Sequence, residues 1–475
     1  MRKTLALLFL LVVQVPPLAH SKLNPAPKAL VFTHVTVIDA TGAPANPDMT
    51  VSIIGDRITE LGKTRDVRTP KDAQVVDATG KFLIPGLWDM HVHWYLKDYL
   101  PLFIANGVTG VRIMWGMPLH HQWRKEIDAG TLLGPRLVIA SAIVDGPNPV
   151  WPSSVSVSND ADARQAVRDA RRAGADFIKV YSRLTREAFF AIADESKKMG
   201  IPFAGHVPQS VTAAEASDTG QKSIEHLTGI LTACSSREDE LRKMDADSRV
   251  QAGRLPDRAS VHAQTRIVLD SFNPEKAAVL FARLKRNQTW QCPTMTVLRS
   301  MASLDDPTFR SDPRLKYLPL SVRGIWEPMK DFRFKDRTAE DSELSRLVLK
   351  KQVEIIGRMR RAGVEFIAGT DTLNPFCFPG FSLHDELVLL AGAGLTPMEA
   401  LQAATLNPAR FSGKEKELGT VEKGKVADLV LLEANPLEDI NNTRRINAVV
   451  VGGKLISKSE VERMLATAEA AAGKK

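Results

Sequence analysis

Cysteine is scarce in these 475 residues. Only Cys234, Cys292 and Cys377 occur, so at most one intrachain disulfide can form and a disulfide-stapled scaffold is excluded. Low-complexity tracts are missing too. A composition of 44% apolar and 25% charged residues is that of a globular protein and argues against disorder in the body of the chain. No basic stripe interleaved with aromatics occurs: the net charge of +8 is spread over interspersed Lys/Arg and Asp/Glu, which speaks against nucleic acid as a partner.

The chain opens with "MRKTLALLFLLVVQVPPLAHS": a basic start (Arg2, Lys3), an apolar run from Leu5 to Val13, and small residues at Ala19 and Ser21. This is the pattern of a secretory leader, too short to span a bilayer. Cleavage is expected after Ser21, with Ala19 as the second choice, and no cysteine stands near the cut for lipid anchoring. The mature chain is therefore expected to be secreted or periplasmic, with no membrane insertion once the leader is gone. At the other end, residues 461–475 are read as a C-terminal tail, whose alanine- and lysine-rich end from Leu465 to Lys475 is expected to fray.

From Ala29 to about Leu83, short β-branched segments alternate with turns ("ALVFTHVTVIDATG", "MTVSIIGDRITELG", "AQVVDATGKFLI"), and the style returns in "GTVEKGKVADLVLLEAN" and "INAVVVGGKLIS". Strand-rich flanks around a middle of another style predict one small composite β-sandwich, residues 22–84 with 414–460, built from both termini.

The middle, residues 85–413, alternates strands and helices. Strands are expected at 88–94, 108–115, 136–142, 177–182, 202–207, 223–227, 289–297 and 365–371. Amphipathic helices such as "DADARQAVRDARRAG" and "TREAFFAIADESKKMG" lie between them, each ending in a glycine suited to a C-cap. "LTPMEALQAATLNPARFSG" has Thr396 as N-cap, Pro397 in the first turn and Glu399 three residues after the cap. Eight such units predict an α/β fold, a (β/α)8 TIM barrel with its chemistry at the C-terminal ends of the strands. A doubly wound sheet is the alternative, but the glycine-rich phosphate turn usual after its first strand is missing. Two connections, Leu227 to Thr289 and Val297 to Glu365, are long and are expected to form lids or substrate walls.

"LWDMHVHW" places His91 and His93 on one side of the first strand, since side chains at i and i+2 point the same way. Asp89 shares that side, as a support for the histidines. Strand four carries Lys179, strand five His206, strand six His226 and strand eight Asp371. A single strand histidine is ordinarily a hydrogen-bonded core residue. Four of the ten histidines inside apolar strands, at one expected rim, point instead to a metal site. Lys179, between Ile178 and Val180, either snorkels to the rim or is carboxylated by CO2, because a buried ammonium is costly. Tyr181, two residues on, and His384, at the start of a helix after strand eight, are candidates for substrate contact. Trp151, His120 and His121 are weaker candidates for the pocket lining.

The motifs "IPGLWDMHVH", "FIKVY", "AGHV", "SIEHL", "AGTDT" and "GLTPMEALQAATLNPAR" resemble those of the amidohydrolase superfamily, in particular its imidazolonepropionase-like and prolidase-like metal-dependent members. The likeness runs from about Ala29 to Ser457. It implies two divalent metal ions, usually Zn2+: one held by His91, His93 and Asp371, the other by His206 and His226, with carboxylated Lys179 bridging. Such a pair lowers the pKa of a bridging water and polarises a carbonyl, while Asp371 serves as catalytic base and then acid. The implied activity is hydrolysis of an amide or peptide C–N bond in a small molecule or dipeptide. A lactone or phosphoester hydrolase of the same fold is the near alternative, and a non-catalytic barrel scaffold the distant one. One departure stands out: strand two reads Val111-Arg112-Ile113 where such proteins often have "VRD".

Overall fold

A computed structural model describes residues 28–250 and 257–474; the leader expected at residues 1–21 lies outside the described residues. Among the described residues there are sixteen strands. Those of the first flank are β1 (Leu30–Val37), β2 (Asn46–Ile54), β3 (Arg57–Lys63), β4 (Gln74–Asp77) and β5 (Phe82–Pro85). The middle contributes β6 (Leu87–Val92), β7 (Val108–Ile113), β8 (Arg136–Asp145), β9 (Val155–Ser156), β10 (Phe177–Val180), β11 (Phe203–Gly205), β12 (Ser223–Glu225) and β13 (Trp290–Cys292). The second flank adds β14 (Leu429–Leu432), β15 (Ile446–Val451) and β16 (Lys454–Ile456).

Both flanks join one sheet in the order β16-β15-β14-β5-β1-β2-β3, with β4 also on β1. The sheet curls over a core of its own, in which Phe32, Val51 and Ile58 from the first flank meet Leu429, Leu431 and Val450 from the second. Its far edge, β3, also meets the second flank through an antiparallel bridge between Arg57 and Val426, just before β14.

The middle is a nearly closed parallel barrel in the order β6-β7-β8-β10-β11-β12-β13. Its eighth member, expected at 365–371, hydrogen-bonds to both neighbours without forming a regular strand. Ile367 N donates to Gln291 O at 2.9 Å on one side, and Met90 N donates to Ala368 O at 2.8 Å on the other. Two local features account for the irregularity. At Gly369 a Cβ would stand 2.6 Å from Cys292 Sγ and 2.7 Å from His91 Cβ, so only glycine lets this segment pack so closely on the first strand. Asp371 then turns out of the pleat with φ of 59°.

The expected capping box before the last barrel helix forms as read: Thr396 accepts from Glu399 N and Glu399 reaches back to Thr396. The expectation of a frayed end is corrected. Lys458–Ala472 is a helix with its own capping box from Ser457 and Glu460. It buries Val461 beside Ile104, Ala105 and Ile456, and this apolar stripe holds it on the barrel. The three cysteines are free and buried.

Candidate metal and hydrolase site

Lys179 lies within β10, His91 in β6 and His93 just beyond it, His206 and His226 one residue past β11 and β12, and Asp371 on the closing segment. These six side chains line one cavity of about 320 Å3 at the C-terminal end of the barrel. His226 is brought to the rim by a left-handed backbone, φ 58°.

The imidazoles are set for one job. His91 Nδ1 is 2.7 Å from Glu225 Oε2, a group that only accepts when ionised, so the proton is on Nδ1 and Nε2 carries the lone pair. His226 Nδ1 is 2.6 Å from Thr294 Oγ1, whose own proton goes to Pro293 O, giving the same tautomer. His206 Nδ1 faces Ser182 Oγ at 2.8 Å. A partner on the outer nitrogen is how metal-ligating histidines are oriented. Burial pushes His226 down to about 4 and His91 and His206 well below the ordinary histidine range, so all three rings are neutral at pH 7.

At the centre, His91 Nε2 and His93 Nε2 are 3.2 Å apart, and Asp371 Oδ1 is 3.3 Å and 3.0 Å from them. Asp371 Oδ1 is buried and accepts no hydrogen bond. Three donor atoms in a triangle with edges near 3 Å fit a shared cation: ligands about 2.0–2.1 Å from a tetrahedral zinc stand roughly 3.3 Å from one another. His226 Nε2 is 3.9 Å from Asp371 Oδ2, and the rings of His206 and His226 are 4.9 Å apart, which extends the donor set to a second position. Burial works to raise Asp371, but His91, His226 and His93 outweigh it and hold the carboxyl well below the usual range. Burial pushes Lys179 down to about 8, with Glu225 and Asp371 pulling the other way.

Beneath this layer lies a network that strand patterns alone do not reveal. Arg112 on β7 is fully buried and donates from Nη2 to both oxygens of Glu225 (2.8 and 3.0 Å), from Nη1 to Ser223 Oγ (2.9 Å) and from Nε to Met90 O (2.6 Å). Glu225 in turn fixes His91. Arg112 is thus the role of the second strand: its charge keeps a buried carboxylate ionised behind His91. Asp89, expected as a support, accepts from Thr370 N at 3.0 Å and Thr370 Oγ1 at 2.6 Å, and so ties β6 to the residue before Asp371. The only sequence signals for this network were the charged residues in buried strands, "VRI" and "SIEHL".

Around these six residues much of the wall is aromatic. Tyr181 stacks on His206 with ring centroids 4.0 Å apart, and its hydroxyl accepts from Trp151 Nε1 at 2.9 Å. Trp115, Trp151, Trp326 and Phe332 also line the cavity. Of the two long connections, Val297 to Glu365 supplies wall residues 325–326 and 330–333. Leu227 to Thr289 supplies none among the described residues, which corrects that expectation. His384 is corrected as well. It is buried outside the cavity, with Nε2 donating to Asn106 O at 3.1 Å and Nδ1 3.0 Å from Thr443 Oγ1, and so ties its helix to two distant segments. His120 is likewise structural, bonded to Trp94 O and Met117 N, and His121 lies outside the cavity.

Comparisons with known proteins find relatives over most of the chain. The sequence profile of the amidohydrolase family matches residues 82–456. Ochratoxinase of Aspergillus niger is 23% identical over 441 residues, covering 78% of this chain and 75% of that protein. Imidazolonepropionase of Shouchella clausii is 34% identical over 116 residues, 22% of this chain and 26% of that one. Among solved structures, a bottromycin amidohydrolase aligns with a TM-score of 0.75 at 25% identity, covering 94% of this chain and 92% of that one. A putative prolidase from Bifidobacterium longum aligns with a TM-score of 0.64 at 24% identity, covering 94% and 100%. With its barrel, its composite sheet and its ring of histidines and aspartate, the chain belongs to the amidohydrolase family of hydrolases acting on carbon–nitrogen bonds.

Proposed function

We propose that the protein is an exported, binuclear metal-dependent amidohydrolase that cleaves an amide or peptide bond in a small molecule, a dipeptide being one such substrate. The observation that carries the reading is the convergence of four imidazoles, Asp371 and the buried Lys179 on one cavity, with three Nδ1 atoms already engaged. His91, His93 and Asp371 would hold one ion and His206 and His226 the other, with Lys179, carboxylated by CO2, between them. Zinc suits such imidazole and carboxylate donors. When bound, the ions would polarise the scissile carbonyl and acidify water.

The chain's own groups do the rest. Asp371, kept ionised by its neighbours, takes the proton of the attacking water and returns it to the leaving nitrogen. Lys179 loses its positive charge on carboxylation and becomes an anion where cations gather. Tyr181 and the tryptophans hold the substrate and exclude water from the reacting centre. The bottromycin amidohydrolase, similar over nearly the whole chain, is named for amide cleavage. Export rests on the leader pattern, and intact mass of protein from its native compartment is expected to start near Lys22.

The test is metal per chain by elemental analysis, followed by a panel of dipeptides, N-acyl amino acids and lactones. Two metals per chain and turnover of amides are expected. Turnover confined to lactones, or a folded chain that takes up no metal, overturns the reading.

A further inference from the structure

Twelve large apolar side chains are exposed among the described residues, and three of them line the cavity: Tyr95, Ile325 and Phe332. Ile325 and Phe332, with the exposed Leu320 and Met329 beside them in sequence, belong to one short segment, residues 320–332, of the long connection after β13. Ile325 and Phe332 are 67% and 55% exposed, yet both also line the cavity. The patch is therefore continuous with the site rather than a separate face. An unbroken aromatic path leads outward from it. His206 stacks on Tyr181, Tyr181 is held by Trp151, and Phe332 stands edge-on to Trp151 with centroids 5.6 Å apart at 78°. Arg333 lies over the Trp151 ring at 5.5 Å and is fixed by Asp331 and Asn374, which braces this wall from behind.

Exposed patches of this kind mark binding surfaces. A group leaving the cavity along Tyr181 and Trp151 meets Phe332, and Ile325 lines the same cavity. We propose that this wall and lip form a subsite for a large apolar acyl group of the substrate, a chain of about eight or more carbons or an aromatic acyl group of similar size, running from the ligand layer to the surface. The proposal rests on the amide-hydrolase reading and narrows it to amides with a long apolar acyl part.

The test uses the carboxylic acids such a reaction would release. Acetate, hexanoate, octanoate and dodecanoate are titrated into the metal-loaded full chain, read by quenching of the lining tryptophans. Kd is expected to fall steeply with each added methylene, approaching the roughly fourfold per CH2 that full burial gives. In the double variant Ile325→Ser/Phe332→Ser the dependence on chain length is expected to collapse. Leu347→Ser, an exposed apolar residue on the helix Ala339–Ala362, serves as control and is expected to keep it. All three positions are exposed, so the variants are expected to fold.

A flat series in wild type overturns the proposal. So does a flat series with binding to phosphatidylglycerol vesicles that the double variant loses, which assigns the lip to a membrane surface. A shift in oligomeric state of the double variant, with the series unchanged, assigns it to a second copy. Failure of metal uptake or of amide turnover strikes the underlying reading instead, and the two failures are separable because acid binding is read without turnover.

Discussion

Two groups of buried histidine share this barrel and differ in what their rings have left over. His120 and His384 are as buried as His91, and burial lowers all three below the ordinary histidine range. In His120 and His384 both nitrogens are engaged by the protein: Met117 N and Trp94 O for one, Thr443 Oγ1 and Asn106 O for the other. In His91, His206 and His226 the outer nitrogen is engaged and Nε2 turns into the site. A ring with both nitrogens engaged is a strut; a ring with one free lone pair can take a metal ion. Burial and a shifted pKa do not tell them apart, but the count of partners does.

The strongest way to break that comparison is to remove the group at the centre of the ligand set. Lys179→Ala and Lys179→Arg are each expected to lose metal and activity together, by roughly a thousandfold or more in turnover, since polarisation worth several kcal/mol goes with the ions. Arginine fails as well as alanine because it puts fixed positive charge where cations gather. Loss of any one of His91, His93, His206, His226 or Asp371 is expected to cost less metal than loss of Lys179. Elemental analysis beside the turnover assay checks this, and full activity in Lys179→Ala with two metals retained would refute the bridge.

Next in size is the partner behind a ligand. Glu225→Gln keeps the shape but weakens the hold on His91 Nδ1 and leaves Arg112 without its counter-charge. Metal affinity, measured by competition with a chromophoric chelator, is expected to drop about 10–100-fold, the usual cost of losing such a partner. An unchanged affinity would show that Glu225 serves only to pair Arg112.

A strut should behave in the opposite way. His384→Ala strands the Asn106 carbonyl and is expected to cost about 1–3 kcal/mol in denaturant unfolding, with metal per chain unchanged. Lost metal with intact stability would return His384 to the site.

The smallest effect sharpens the same point through pH. Burial holds His384 down at about 3, against about 6.5 in an unfolded chain. The folded state therefore favours the neutral ring: its contribution to stability is full above about pH 6.5 and is lost as pH falls toward 3. Between pH 7 and pH 5 this one residue is expected to account for about 2 kcal/mol of lost stability. His384→Gln should remove that share of the slope, as urea unfolding at the two pH values would show.

The alternation of strands with capped helices, the two histidines spaced i and i+2, and the charged or imidazole side chains at later strand ends could all be read directly, because the direction of a side chain in a strand is a local property of period two. The capping box at Thr396 was equally local. Glu225 was not readable as a partner of His91, since the two are 134 residues apart and meet only when β6 and β12 face each other across the barrel. Nor could strict alternation put Glu225 and His226 both inside; the left-handed turn at His226 does that. The misplacement of His384 has the same origin. Its helix was legible, but its partners lie 278 and 59 residues away. The residue types and the strand periodicity by themselves determined which groups could bind metal and at which end of the barrel. Only the tertiary structure decided which lone pairs remained free to do so, because hydrogen-bond partners come from segments remote in the chain and each ring nitrogen can be spent once.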